Sequence, residues 1–305
     1  MKRILLAFSV LTLAAGPAGA VETGASIYPK GMSDFMSGVV PSDPGFYFSS
    51  TYYHFNGSTS AAVRNGVTEF GVDTSVDAGY LRGTFVTDSD WLGARYAAGG
   101  AIAVAGSSLD ANLLGPHNAP TEHVSNGGFG DSIFTPLLFG WQEGNLYWNA
   151  GFSVYMPTGG YTPGQLNIGR NVWGFMPAAA MTWFNPASGW DVSAAFTFVA
   201  MTKNDATDYQ SGNLLHLDWA IGNHVSRNWE IGLAGNWVQQ LSDDGGSGAK
   251  LGAFRAQSFG LGPAANYATK WANMPVSFTA KWERDVFHTN MLGGDLIVVN
   301  GTIFF

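Results

Sequence analysis

The chain has no cysteine, so no disulfide framework can staple it. Charge is scarce as well. Asp, Glu, Lys and Arg make up 12% of the residues, about half the share usual in a soluble domain. The 14 basic residues are outnumbered by 22 acidic ones, and the formal charge of −8 argues against a nucleic-acid partner. No Walker, Rossmann or zinc motif occurs, so no cofactor and no metal are expected. Beyond residue 20 no apolar run reaches the roughly 20 residues that a membrane helix needs.

What is present begins with a leader. Lys2 and Arg3 precede an apolar run from Ile4 to Ala15, and Ala18-Gly19-Ala20 supplies a small-x-small cleavage pattern. Residues 1–20 therefore read as a signal peptide cut near Ala20, which makes the mature chain an exported one. Aromatics reach 14% and glycines number 41. An exported, aromatic-rich, charge-poor chain without disulfides must place many apolar side chains outside a compact core, and lipid contact is one such place.

From about Pro44 onward, apolar and polar residues alternate with the period of a two-faced strand. Val276, Phe278, Ala280 and Trp282 oppose Ser277, Thr279, Lys281 and Glu283. Trp190, Val192, Ala194, Phe196 and Phe198 oppose Asp191, Ser193, Ala195 and Thr197. Leu215, Leu217, Trp219 and Ile221 oppose His216 and Asp218, and Trp229, Ile231, Leu233 and Trp237 oppose Glu230 and Asn236. Ionisable residues in mid-strand suit a watery lumen. Trp91, Trp141, Trp148, Trp190, Trp229, Trp237 and Trp271 recur near strand ends, as in an interfacial aromatic girdle.

The fold expected is all-β: a transmembrane antiparallel up-and-down β-barrel of about 12 strands over residues 44–305. The strands are placed at 44–55, 66–84, 91–104, 129–141, 146–157, 171–184, 190–202, 213–225, 229–241, 253–268, 274–285 and 294–305. Tight turns at 87–90, 142–145, 185–189, 226–228 and 269–273 alternate with longer connections, the longest from about 105 to 128. Residues 21–43 do not alternate. They form an N-terminal segment, either a periplasmic tail or a lumen plug packed through residues such as Ile27, Tyr28 and Phe35. The polar phase predicts a channel lined by Asp73, Asp77, Arg95, Asp131, His216, Asp218, Glu230, Lys281 and Glu283, with Glu69 and Asp191 in the same phase.

Several segments resemble the outer-membrane proteins grouped as the phenol meta-pathway degradation, or SphA-like, family. They are Glu22-Thr23-Gly24 with Tyr28-Pro29-Lys30-Gly31, Pro44-Gly45-Phe46-Tyr47, Gly130-Asp131 with Pro136 to Trp141, and Asn204 with Ala206 to Tyr209 and His216-Leu217-Asp218. The resemblance implies a transporter-like barrel in the outer membrane of a Gram-negative bacterium. Passive uptake of small hydrophobic or aromatic solutes is the function expected, with Phe55, Tyr155 and Tyr161 as candidate capture residues. The expected partners are outer-membrane lipids, such solutes, and the barrel-assembly machinery, which would read the last strand ending at Phe305.

Two alternatives stand beside this reading. His123-Val124-Ser125-Asn126-Gly127 resembles the His-x-Ser-Asn-Gly stretch of outer-membrane phospholipase A, which implies a lipid hydrolase with His123 as base and Ser125 as nucleophile. The Asn that orients the base there has no counterpart, because Leu137 stands at that spacing. The other alternative is a barrel whose outer loops bind a partner without transport. Asp243-Asp244-Gly245-Gly246 resembles a Ca²⁺ loop only weakly and reads as a solvated connection.

Overall fold

The computed structural model describes residues 21–64, 67–91, 93–112 and 121–305; the leader at 1–20 lies outside them. Thirteen strands run in chain order: β1 (Gly45–Arg64), β2 (Val67–Trp91), β3 (Ala94–Asn112), β4 (Thr121–Phe129), β5 (Ser132–Glu143), β6 (Leu146–Met156) and β7 (Gly174–Asn185). They continue with β8 (Trp190–Met201), β9 (Leu214–His224), β10 (Trp229–Gln240), β11 (Gln257–Trp271), β12 (Met274–Thr289) and β13 (Gly293–Phe304).

Each strand pairs antiparallel with its neighbours, and β1 pairs with β13 from Tyr47↔Phe304 to Ser58↔Gly293, which closes the sheet. β4 and β5 are two halves of one barrel strand. Both pair with β3, β5 along its first half and β4 along its second, and Gly130-Asp131 separates them. The result is a closed twelve-stranded antiparallel barrel. Closure leaves no sheet edge in the belt where β1 meets β13, as a hydrocarbon surrounding demands. Among the described residues, β1 beyond Ser58 pairs only with β2, and β4 only with β3.

The alternation in the sequence becomes the two faces of that wall. On β12, Phe278 and Trp282 are exposed while Thr279, Lys281 and Glu283 are buried. On β8, Trp190, Val192 and Phe196 face out, and Asp191, Ser193 and Thr197 face in. Trp91, Trp141, Trp148, Trp190, Trp229 and Trp271 gather beside the tight turns at one end of the barrel. Trp141 stacks on Trp148 at 6.3 Å and Trp229 tilts against Tyr267 at 4.9 Å. Trp237 differs, lying toward the far end of β10.

The first three strands depart from the expected boundaries. β1 has 20 residues, β2 25 and β3 19, against 11 or 12 in β6 to β10. At about 3.3 Å per residue, β2 is roughly 40 Å longer than those strands. Strand therefore occupies most of the loop expected at 105–128, the polar stretch 56–64, and the turn expected at 87–90. Gly, Ser and Asn suggested loops there. A hairpin extended beyond the apolar belt has no lipid-facing side to fill, so polar and small residues sit in its ladder without penalty.

Between Val21 and Val40 the N-terminal segment contacts inward-facing residues of the wall. The path starts at the end of the long connections, where the backbone nitrogen of Val21 donates to Asp244. It ends at the tight-turn end, where Gly38 N donates to Thr182 Oγ1 at 2.9 Å and Asn149 donates to Ser37 O. Gly38 is required there: a Cβ would sit 2.4 Å from the backbone nitrogen of Thr182.

Candidate functional site

The inward face divides into a polar side and an apolar side. β7 to β12 supply the polar side, which holds the N-terminal segment by its backbone. Asp218 accepts from Gly31 N at 3.0 Å and Ser33 N at 2.9 Å. Lys281 donates to Ser33 O at 2.7 Å and lies 2.9 Å from Glu283 Oε1. Glu283 also accepts from Asn236 at 2.6 Å. Ser193 accepts from Met36 N, His216 Nε2 meets Ser26 Oγ at 3.0 Å, and Lys30 pairs with Asp285. Irregular backbone at membrane depth needs such partners, and charged side chains give the stronger bonds.

The apolar side is a cavity of about 210 Å³ bounded by β1, β2, β3, Tyr155 and residues 23–30. Tyr53, Phe55, Val72, Ala78, Tyr80 and Leu109 form its wall. At its loop end, Arg64 Nε donates to Glu69 Oε1 at 2.7 Å. At its floor, Asp131 accepts from Tyr155 Oη at 2.8 Å and from Gly159 N and Arg170 N. A site in the break between β4 and β5 gives that carboxylate access to backbone amides of the following connection.

Most of the predicted lining residues meet in the lumen. His216, Asp218, Lys281 and Glu283 line the polar side, Asp131 lies under the cavity, and Glu230 is buried near the tight turns. Arg95 stands at the tight-turn rim beside Val40 and Ser42. Asp73 and Asp77 are corrections. Both face outward, because Val72, Thr74 and Ala78 hold the inward phase of β2. Asp77 bonds His54 at 2.9 Å on that outer face. These acids lie past the apolar outer residues Leu81 and Phe85, where the outer wall is polar rather than lipid-like, so polarity ceases to mark the lumen. At Gly71 (φ 55°) the register with β3 shifts, and beyond it Arg64 and Glu69 turn inward.

Of the candidate capture residues, Phe55 and Tyr155 line the cavity, whereas Tyr161 accepts from Asn204 in the connections. Charge-based reasoning passed over Thr182 and Ser193, which are uncharged, and Asp285, which continues the phase of Lys281 and Glu283. It named Asp191 and Glu230 singly but not their meeting with His224, where the donor atoms of the three lie within 4.8 Å of one another. These could hold a cation, since neither carboxylate oxygen of Glu230 has a hydrogen-bond partner.

His123 and Ser125 lie on β4 rather than in a loop, exposed on the outer face. His123 Nδ1 is 2.8 Å from Asp110 Oδ1, its cross-strand partner on β3. Among the described residues no hydrogen bond joins Ser125 to His123. In the 243–246 loop, Asp243 pairs with Arg255 at 2.6 Å and Asp244 is buried among hydrogen-bond donors. Outside the membrane-spanning strands, Asp208 is held well below the usual carboxylate range by Lys203 and then Ser247.

The fold is shared with solved outer-membrane barrels. The COG4313 outer membrane channel from Pseudomonas putida F1 aligns with a TM-score of 0.66 at 17% identity, covering 88% of this chain and 100% of that one. The β domain of the Bordetella autotransporter BrkA aligns at 0.51 with 12% identity, covering 86% and 100%. No curated protein matches the chain. Residues 54–300 match the model of the family described as "Putative MetA-pathway of phenol degradation", and the chain belongs to that family.

Proposed function

We propose that the protein is an outer-membrane channel for passive uptake of small hydrophobic or aromatic solutes, with residues 21–43 acting as its lumen plug. The observation that carries this reading is the apolar cavity between β1–β3 and the N-terminal segment. An apolar cavity of about 150 Å³ is enough to bind benzene, so the volume here suits a single aromatic ring. Tyr53, Phe55, Tyr80 and Tyr155 add ring faces, and the tyrosines hydroxyls, beside the aliphatic Val72, Ala78 and Leu109. The polar side holds the plug, and the solute's route follows the apolar side.

The outer-membrane placement is supported by the lipid-like belt, the rim of tryptophans and the family. On this reading the leader is removed near Ala20 and the barrel-assembly machinery engages the strand that ends at Phe305. The P. putida relative, a channel, favours the same class. The test is solute-dependent swelling of liposomes that contain the folded mature protein. Small aromatics should enter faster than sugars of similar size; equal rates would overturn the hydrophobic-solute reading.

The contact between Asp110 and His123 favours a second reading, a lipid hydrolase on the outer wall. It requires phospholipid cleavage that disappears in Ser125→Ala. The channel reading expects no Ser125-dependent cleavage and unchanged swelling.

A further inference from the structure

We propose that the α-ammonium of Val21, created when the leader is removed after Ala20, forms a buried ion pair with Asp244 that fastens the loop end of the N-terminal segment. This rests on the plug reading above and on cleavage at that bond. Hydrolysis consumes one water, leaves the carboxylate on the leader, and leaves an amine on Val21 that takes up a proton.

The site is already built. The backbone nitrogen of Val21 lies 2.7 Å from Asp244 Oδ2, and the two residues are 2% and 7% exposed. The same carboxylate accepts from Tyr209 Oη at 2.6 Å, Gly212 N at 2.8 Å and Gln240 Nε2 at 2.8 Å. Among the described residues no Lys, Arg or His forms an ion pair with it. A buried carboxylate with hydrogen bonds and no counter-charge carries an uncompensated desolvation cost. An ammonium on Val21 supplies the missing charge and offers three N–H donors in place of one.

Backbone geometry points the same way. Val21 has φ 65°, an outlier for a β-branched residue inside a chain. A first residue has no preceding carbonyl to clash with, so that strain vanishes on cleavage. The next residue is tied to the same connections: Glu22 N donates to Ser211 Oγ, and Asn204 donates to Glu22 Oε2. Seating of the segment thereby becomes coupled to processing, because an uncleaved chain presents a neutral amide to Asp244.

The experiment uses the full mature chain purified from outer membranes. Intact mass first identifies its N-terminus. The α-amine is then labelled with an amine-reactive ester near neutral pH, where it reacts ahead of lysines, and read by peptide mapping. Wild type is expected to label at least tenfold more slowly than the same chain unfolded in denaturant. Asp244→Asn, and separately a chain with one glycine inserted between Ala20 and Val21, should label at close to the unfolded rate while keeping folded gel migration. A mature chain that starts elsewhere overturns the proposal, as does slow labelling in both variants. Failure of solute entry with these labelling results intact would overturn the channel reading alone.

Discussion

Asp218 accepts the backbone amide of Ser33 at 2.9 Å across 185 residues of sequence. Lys281 donates to the carbonyl of the same Ser33, so one residue of the N-terminal segment is gripped from both sides by opposite charges. A backbone held this way stays put without regular secondary structure of its own.

Asp218→Ala removes two backbone-amide bonds to a charged acceptor, each worth about 1.5–3 kcal/mol net. It also removes the longer one from Tyr28 Oη at 3.5 Å, and leaves Lys281 with Glu283. The segment should loosen while the wall stays closed. Trypsin is expected to cut after Lys30, which is buried, in this variant and not in wild type. Resistance equal to wild type would show that Asp218 does not hold the segment.

Ala78 is buried in the cavity wall, and Ala78→Trp would fill much of the volume beside Tyr80. Entry of small aromatics into liposomes should fall about tenfold, which corresponds to roughly 1.4 kcal/mol. Thermal stability should change less, since the bulk enters space that is open. An unchanged aromatic rate would move the solute route away from the cavity.

Glu230 lies beside Asp191 with neither carboxylate oxygen accepting a hydrogen bond, and His224 Nε2 stands 3.8 Å from its Oε2. Glu230→Gln removes one charge and supplies an amide donor toward Asp191. Its expected effect is a gain of about 1–3 kcal/mol, read as a higher thermal midpoint in detergent. A lower midpoint would mean that the acid pair is neutralised by a bound cation or a shared proton.

Asp208 predicts a pH response in the connections. Lys203 lies 2.8 Å from it, and Ser247 donates to it through backbone and side chain. Its folded pKa is depressed, so its contribution is present above the ordinary Asp value and is lost only as pH falls through the depressed one. At about pH 4, where an unperturbed Asp is half protonated, Asp208 should remain ionised. Carbon chemical-shift titration of the carboxyl reads this directly, and Lys203→Met should move the midpoint upward.

The barrel was legible because lipid outside and polar groups inside impose opposite demands on alternate residues. That is why Val276 to Glu283 and Trp190 to Phe198 could be assigned faces without coordinates. The same rule misplaced Asp73 and Asp77, since it holds only where the outer wall meets an apolar surrounding. Strand ends in β1, β2 and β3 were illegible for that reason too: Gly- and Ser-rich ladder and Gly- and Ser-rich loop look alike when both faces are polar.

Local periodicity by itself determined the class of fold, the number of strands in the wall and the inward phase of His216, Asp218, Lys281 and Glu283. Those follow from neighbours one or two residues away. The tertiary structure alone decided that Asp218 meets Ser33, that Asp244 meets Val21, and that β1 to β3 leave an apolar cavity opposite the polar clasp. Such contacts join residues 185 and 223 positions apart, and barrel closure, not any local pattern, brings them within hydrogen-bond reach.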